Sequence, residues 1–368
     1  MKPHWPSVVG LSLLLAACGG TAAPPSTAPA SSAAAAAKPA TSGQAPASTG
    51  SESLEAVKAQ AQKDGGKVVW YDSVEQDQGD KIIEAFKADY PFMSGAKFVS
   101  VVSGQRVAKI TQESSAKGPT ADVDFGNAQT ITDFYNKGFV ETVDWQGLGI
   151  KTSPQLAPTN YLVATTAPFY VIIYNSQKVK PEEAPKTLDD LLDPKWKGRL
   201  GTWARPAALV IMSSVWGEQQ TLDYAKKLAS QQIRTYDSNF TIAQDVGSGN
   251  IDAALTTYHT VLPTLDKGAP VKVVTLNPVP SDPLYGYLLK YGQYKAGGKL
   301  LLSWLTSAHG AQVYEDVSGR GNPFVPETKT AQMFKDSKIA GYTIEQQLKD
   351  SAHMVQLEAQ LTKAIKGQ

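Results

Sequence analysis

Side chains able to do covalent chemistry are scarce in this chain. Cys18 is the single cysteine among 368 residues. It leaves no disulfide within one molecule and no thiol in the body of the chain for nucleophilic catalysis or metal binding. Beyond His4 the histidines are His259, His309 and His353, and no two stand at the i,i+4 spacing that lets one helix face hold zinc. No Gly-x-Ser-x-Gly elbow occurs. Gly292-Gln-Tyr-Lys-Ala-Gly-Gly-Lys299 resembles a phosphate loop, but its spacing is one residue too long and Leu300 stands where Ser or Thr belongs. Gly247-Ser248-Gly249-Asn250 lacks the third glycine of a dinucleotide fingerprint. The expectation is a binding protein, not an enzyme, with no cofactor.

Polar residues at strand ends point to where binding occurs. Lys67 to Tyr71, Phe98 to Val102 and Ala121 to Phe125 read as strands. Each is followed by apolar residues at helical spacing: Ile82, Ile83, Phe86 and Tyr90, then Val107 and Ile110, then Ile131 and Phe134. Ser73, Ser103 and Asn127 fall at the three strand-to-helix junctions. In an open α/β sheet that edge takes ligands, and helix amino ends there favour anions. Simple helix capping is the other reading for each, and the two are compatible. Ser73-Val74-Glu75-Gln76 has the form of a capping box.

Those junctions need a sheet with helices on its faces, and the pattern repeats. Phe169 to Tyr174 is a second-unit strand, followed by Leu188 to Leu192 as a short helix and Leu200 to Trp203 as a strand. Arg205-Pro206 opens a helix, with Pro suited to the first turn. Strands over 249–255 and 271–276 follow, then helices around 300–305 and over 343–365. Strands alternating with helices predict an α/β class with parallel pairing.

The ends and the charge set the compartment. Lys2 and His4 precede an apolar run from Val8 to Ala17. That run is shorter than the roughly 20 residues of a spanning helix and has the length of a signal-peptide core. Leu15-Ala16-Ala17-Cys18-Gly19 resembles a lipobox, in which the cysteine is acylated. Residues 1–17 are therefore expected to be a lipoprotein signal peptide. Residues 18–51, rich in Ala, Pro, Ser and Thr, are expected to be a disordered tether. The net charge is +1 with no basic stripe, which argues against nucleic acid as a partner.

The order of elements resembles the type II periplasmic-binding-protein fold of bacterial extracellular solute-binding proteins, in particular the ferric-ion-binding family. Four stretches carry this: Val68 to Ser73 with the helix ending Ala88-Asp89-Tyr90-Pro91; Ala121 to Asp124; Thr187 to Gly198, the strongest; and Gly249 to Leu255 with Lys267 to Val271. The resemblance covers about residues 66–330. It implies two lobes joined by a hinge: residues 52–165 and 271–368 as lobe 1, and 166–270 as lobe 2. It implies a substrate-binding lipoprotein, monomeric and anchored through Cys18 outside the cytoplasmic membrane. Such a protein passes its solute to ABC permease subunits. Ferric iron or a small anionic organic molecule is the implied cargo. A surface sensory or interaction protein that kept the fold but not uptake is the alternative.

The resemblance also implies site residues. Ferric-binding relatives use adjacent tyrosines, and the matching place here is Tyr258-His259. A metal pair, contact with an organic solute, or packing all remain open for it. Arg205 begins a helix that faces the cleft in this fold, where its fork suits a carboxylate or phosphonate; a surface salt bridge is its other reading. Tyr170, Trp203, Asn239 and Thr241 occupy equivalent loop positions.

Overall fold

A computed structural model describes residues 52–368. The leader, Cys18 and the tether lie outside the described residues. The chain lays down β1 (Lys67–Asp72), β2 (Gly95–Ser100), β3 (Val123–Gly126) and β4 (Val163–Thr166) in one sheet. It then crosses to a second sheet with β5 (Tyr170–Asn175), β6 (Leu200–Trp203), β7 (Arg234–Tyr236), β8 (Ala253–Thr257) and β9 (Val271–Val274). It returns through β10 (Val279–Pro280) to β11 (Leu284–Leu288) in the first sheet, and β12 (Ile339–Ala340) pairs with β10. The strand orders are β2-β1-β3-β11-β4 and β7-β6-β8-β5-β9.

The sheets are mixed. β1 runs parallel to β2 and β3, as the alternation of strands and helices predicts, but β11 is antiparallel to both β3 and β4. The reason is that β11 comes from the returning chain and not from a strand–helix–strand unit. The same happens in the second sheet, where the incoming β5 is antiparallel to β8 and β9.

Each sheet carries its own core. In the first, Trp70 is fully buried, with Phe98 at 4.8 Å and Phe125 at 5.2 Å between ring centroids. Gly79 is required there, because a Cβ would sit 2.0 Å from the Phe98 ring. In the second, β5 reads Tyr-Val-Ile-Ile-Tyr-Asn and is buried at every position. Its β-branched residues suit a strand covered on both faces.

The expected lobe limits at 270/271 do not follow the sheets. β9 pairs with β5 over Asn175 and Val271, so the second sheet extends to Val274. Nor does the chain finish on the first core. The region 343–365, expected as one helix, is broken at Asp350 into Ile344–Lys349 and Ser351–Ile365. Leu357, Leu361, Ala364 and Ile365 of the last helix are buried in the second core. Their apolar stripe matches the half-open face of the helix Glu218–Ser230, and burying it there removes both faces from water.

Candidate functional site

The cleft of interest lies where carboxyl ends of β1, β6 and β8 face one another. It encloses about 290 Å³, at the lower limit of small-molecule sites. Ser73 and Arg320 contribute from the first sheet's side, and Trp203, Asn239, Phe240 and His259 from the second's. Thr166, Pro168 and Leu284 line it from the two crossings between sheets.

Ser73 is free for this role because it is not a helix cap. The capping box expected at Ser73 is made by Glu75 and Gln78 instead, and the helix runs Gln76–Asp89. The side chain of Gln76 is drawn away to β2, donating to Phe98 O at 3.2 Å and accepting from Ser100 N at 2.9 Å.

Arg320 is held by the loop that carries it. The helix Ala308–Ser318 ends at Gly319 with φ of +73°, which favours glycine. A Cβ there would also lie 3.1 Å from Leu262 Cδ1, on the opposite side. Thr166 Oγ1 and Ala167 N each donate to Gly321 O at 3.0 Å, and Asn322 Nδ2 donates to Ala164 O at 2.8 Å. The loop is thereby pinned to a chain crossing.

Beneath Arg320 is a buried polar network. Tyr314 Oη donates to Asp72 Oδ2 at 2.8 Å, and Ser73 N donates to Asp72 Oδ1 at 2.6 Å. Arg106 lies between Asp72, at 3.6 Å, and Asp124, at 2.8 Å. Tyr287 Oη donates to Asp124 at 2.6 Å. Burial pushes the Asp124 carboxyl up to about 7, against the pull of Arg106 and the Tyr287 hydroxyl. Burial works against the charge of Arg320, but Tyr314 and Asp72 outweigh it and raise its pKa above the ordinary value. It is charged at any physiological pH.

Arg320 also lacks a direct ion pair. The chain has five arginines. Arg106, Arg199, Arg205 and Arg234 each form an ion pair with a carboxylate. Arg320 forms none among the described residues; Ser73 Oγ, at 3.4 Å, accepts from its Nη1.

The facing wall combines neutral polar groups and aromatic rings with one carboxylate, Asp237. His259 lies in the first turn of the helix Tyr258–Asp266, and Asn239 opens the helix Asn239–Ser248. Both helix amino ends carry a field that favours anions. Burial, reinforced by Arg320, pushes the His259 pKa down to about 3, so the imidazole is neutral at pH 7. Asn239 Oδ1 accepts from Thr256 Oγ1 at 3.0 Å, which fixes the amide. Trp203 Nε1 donates to Asp237 O at 3.3 Å.

Of the residues expected from sequence, Ser73, Tyr170, Trp203, Asn239 and His259 meet in this cleft. Others do not. Asn127 caps its helix, accepting from Thr130 N at 2.9 Å. Ser103 is the first residue of the helix Ser103–Ser115, with Val102 at the cap. Thr241 is exposed on its helix. Arg205 does not face the cleft freely: it pairs with Glu358 of the last helix at 3.0 Å and lies over the Trp203 ring at 5.2 Å. Its partner arrives from 153 residues away, which no local pattern discloses.

Tyr258 and His259 diverge. Successive helix residues point about 100° apart. His259 faces Phe240 in the cleft, whereas Tyr258 meets the Phe334 ring edge-on at 5.9 Å. Burial and Glu315 raise the Tyr258 pKa, and its phenol keeps its proton. Among the described residues no three His, Asp, Glu or Cys side chains gather where a metal ion could sit. Sequence reading missed Arg320 and Phe240. The signal for Arg320 was present in Gly319-Arg320-Gly321, a lone arginine between glycines just past a helix.

Residues 119–277 match the family model described as bacterial extracellular solute-binding protein. The chain is similar to "Iron uptake protein A1" of Synechocystis, at 39% identity over 99 residues, which is 24% of this chain and 26% of that one. It is similar to the "Fe(3+)-binding periplasmic protein" of Serratia marcescens, at 29% identity over 117 residues, 30% of this chain and 33% of the relative. The matches thus span about a quarter to a third of these curated relatives. In fold the chain is similar to iron-bound HitA from Pseudomonas aeruginosa: TM-score 0.67, 19% identity, covering 80% of this chain and 99% of that one. The fold is that of the type II periplasmic binding proteins, and the matched proteins are solute-binding proteins, not enzymes.

Proposed function

We propose that this chain, sharing the fold and part of the sequence of bacterial extracellular solute-binding proteins, captures a small anionic organic solute in the cleft. It then delivers the solute to the permease of an ABC importer. The observation that carries this reading is Arg320: a charged guanidinium held in the cleft, with no carboxylate at ion-pair distance among the described residues. A buried charge is costly unless paired. An incoming carboxylate or phosphonate supplies the missing partner, and a guanidinium fork suits either. Binding that contacts both sides of the cleft favours closure, and the closed form docks on the permease. The lipobox-like Leu15 to Gly19 supports a lipid anchor through Cys18, with 18–51 as tether and a monomeric body outside the cytoplasmic membrane. No helix among the described residues is long and apolar enough to cross a membrane.

Ferric iron is the second reading, favoured by the names of the two curated relatives. Against it stand the divergence of Tyr258 from His259 and the positive charge of Arg320. A metal cargo in this cleft needs a synergistic anion on Arg320.

The deciding experiment is calorimetric titration of the protein with carboxylates, phosphonates, ferric iron with and without citrate, and putrescine. Saturable binding of an organic anion supports the first reading. Binding of ferric iron alone, with a visible charge-transfer band lost in Tyr258→Phe, would replace it with the second.

A further inference from the structure

The anionic reading leaves the body of the solute undefined, and the walls of the cleft constrain it. Phe240 is 46% exposed, in a protein whose other phenylalanines are buried or partly covered. It sits in the first turn of the helix Asn239–Ser248, one residue after Asn239, and opens onto the cleft. Nothing in the second core uses it; its near ring neighbour is the half-buried His259, edge-on at 6.3 Å. Trp203 lines the same wall, held by its bond to Asp237 O. Tyr170 lies in the cleft lining as well. Three aromatic rings and one cation without a direct ion pair therefore meet in about 290 Å³.

The polar inventory limits the head group. The lining holds one cation, Arg320, and one carboxylate, Asp237; its other polar groups are neutral, among them the Ser73 and threonine hydroxyls and the Asn239 amide. A phosphate dianion needs a second positive charge to offset its desolvation, and Asp237 in the lining opposes it. His259 does not provide that charge at neutral pH. A single carboxylate matches the one cation, Arg320, in charge, with Ser73 beside it as a neutral partner.

We infer that the cleft selects an aromatic monocarboxylate, its carboxylate on Arg320 and Ser73 and its ring between Trp203 and Phe240. This rests on the anionic reading and goes further by naming the solute class. Aromatic pairs prefer offset or edge-on geometry at 4.5–7 Å, a spacing that the His259–Phe240 edge already shows.

The test is titration of the full chain with 4-hydroxybenzoate, phenylacetate, cyclohexanecarboxylate, acetate, inorganic phosphate, glucose 6-phosphate and ferric citrate. The aromatic acids should bind roughly tenfold tighter than cyclohexanecarboxylate, the range of an aromatic pair beyond its burial. Phe240→Ala should erase that preference while leaving carboxylate binding. Arg320→Met should abolish binding of every carboxylate, with circular dichroism and melting checking that it folds. Equal or tighter binding of cyclohexanecarboxylate or a phosphate overturns the aromatic class but leaves the anionic reading standing. Binding of iron without any anion, or of no anion at all, overturns both.

Discussion

Phe169 and Phe334 stack face to face, with centroids 4.1 Å apart and rings 9° from parallel. Phe169 lies at the crossing from β4 to β5, and Phe334 ends the helix Lys329–Phe334 near the returning chain. The pair ties the C-terminal segment to the place where the two sheets are joined. Both rings are buried. Phe334→Ala should destabilise the protein by about 3–5 kcal/mol, read from chemical denaturation, because it leaves a cavity at a junction. A loss below about 1 kcal/mol would mean that this junction is not packed as described.

Tyr314 and Asp72 form the support under Arg320. Tyr314→Phe keeps the ring and removes the hydroxyl that donates to Asp72 Oδ2. A buried carboxylate then loses a donor, at a cost of about 1–3 kcal/mol. Solute affinity should also fall, since Asp72 fixes Ser73 through its backbone N–H. Denaturation and calorimetry on the same variant check both effects. Lost stability with unchanged affinity would separate the network from the site.

Arg205 and Arg320 should behave in opposite ways. The side chain of Arg205 is 64% exposed and its partner is on the surface helix. Such a pair contributes about 0–1 kcal/mol. Arg205→Ala should therefore leave affinity within about twofold of the parent, whereas Arg320→Met should remove it. If Arg205→Ala alone abolishes binding, the cleft closes onto Arg205 in the bound state.

The acid side of the stability curve should carry the signature of His259. Its folded pKa is depressed to about 3 from 6.5, so the unfolded chain binds a proton that the folded chain does not between those values. Stability therefore rises with pH across that window and is lost as pH falls from about 6.5 towards 3. The slope is at most about 1.4 kcal/mol per pH unit for one group. His259→Gln should flatten this part of the profile, measured by melting temperature against pH. An unchanged profile would show that the imidazole titrates normally in the folded protein.

The sequence by itself determined the class of fold and much of the cleft's edge. Local rules suffice for that: Tyr170 to Tyr174 is a strand from its β-branched run, and Leu200 to Trp203 is found as read. Ser73 is legible as a cleft residue because strand ends and helix starts converge in open α/β sheets, and Trp203 and Asn239 through the resemblance to solute-binding proteins. Tertiary structure decided which arginine serves the cleft and which is spent on the surface. Arg205 had the better local position, yet Glu358 neutralises it from a helix that folds back onto the second core. Arg320 had no local credentials. It reaches Ser73 across 247 residues because the chain returns to the first sheet and is pinned there by Thr166, Ala167 and Asn322. Charge compensation is a property of distances in space, and a single sequence read along its length does not contain them.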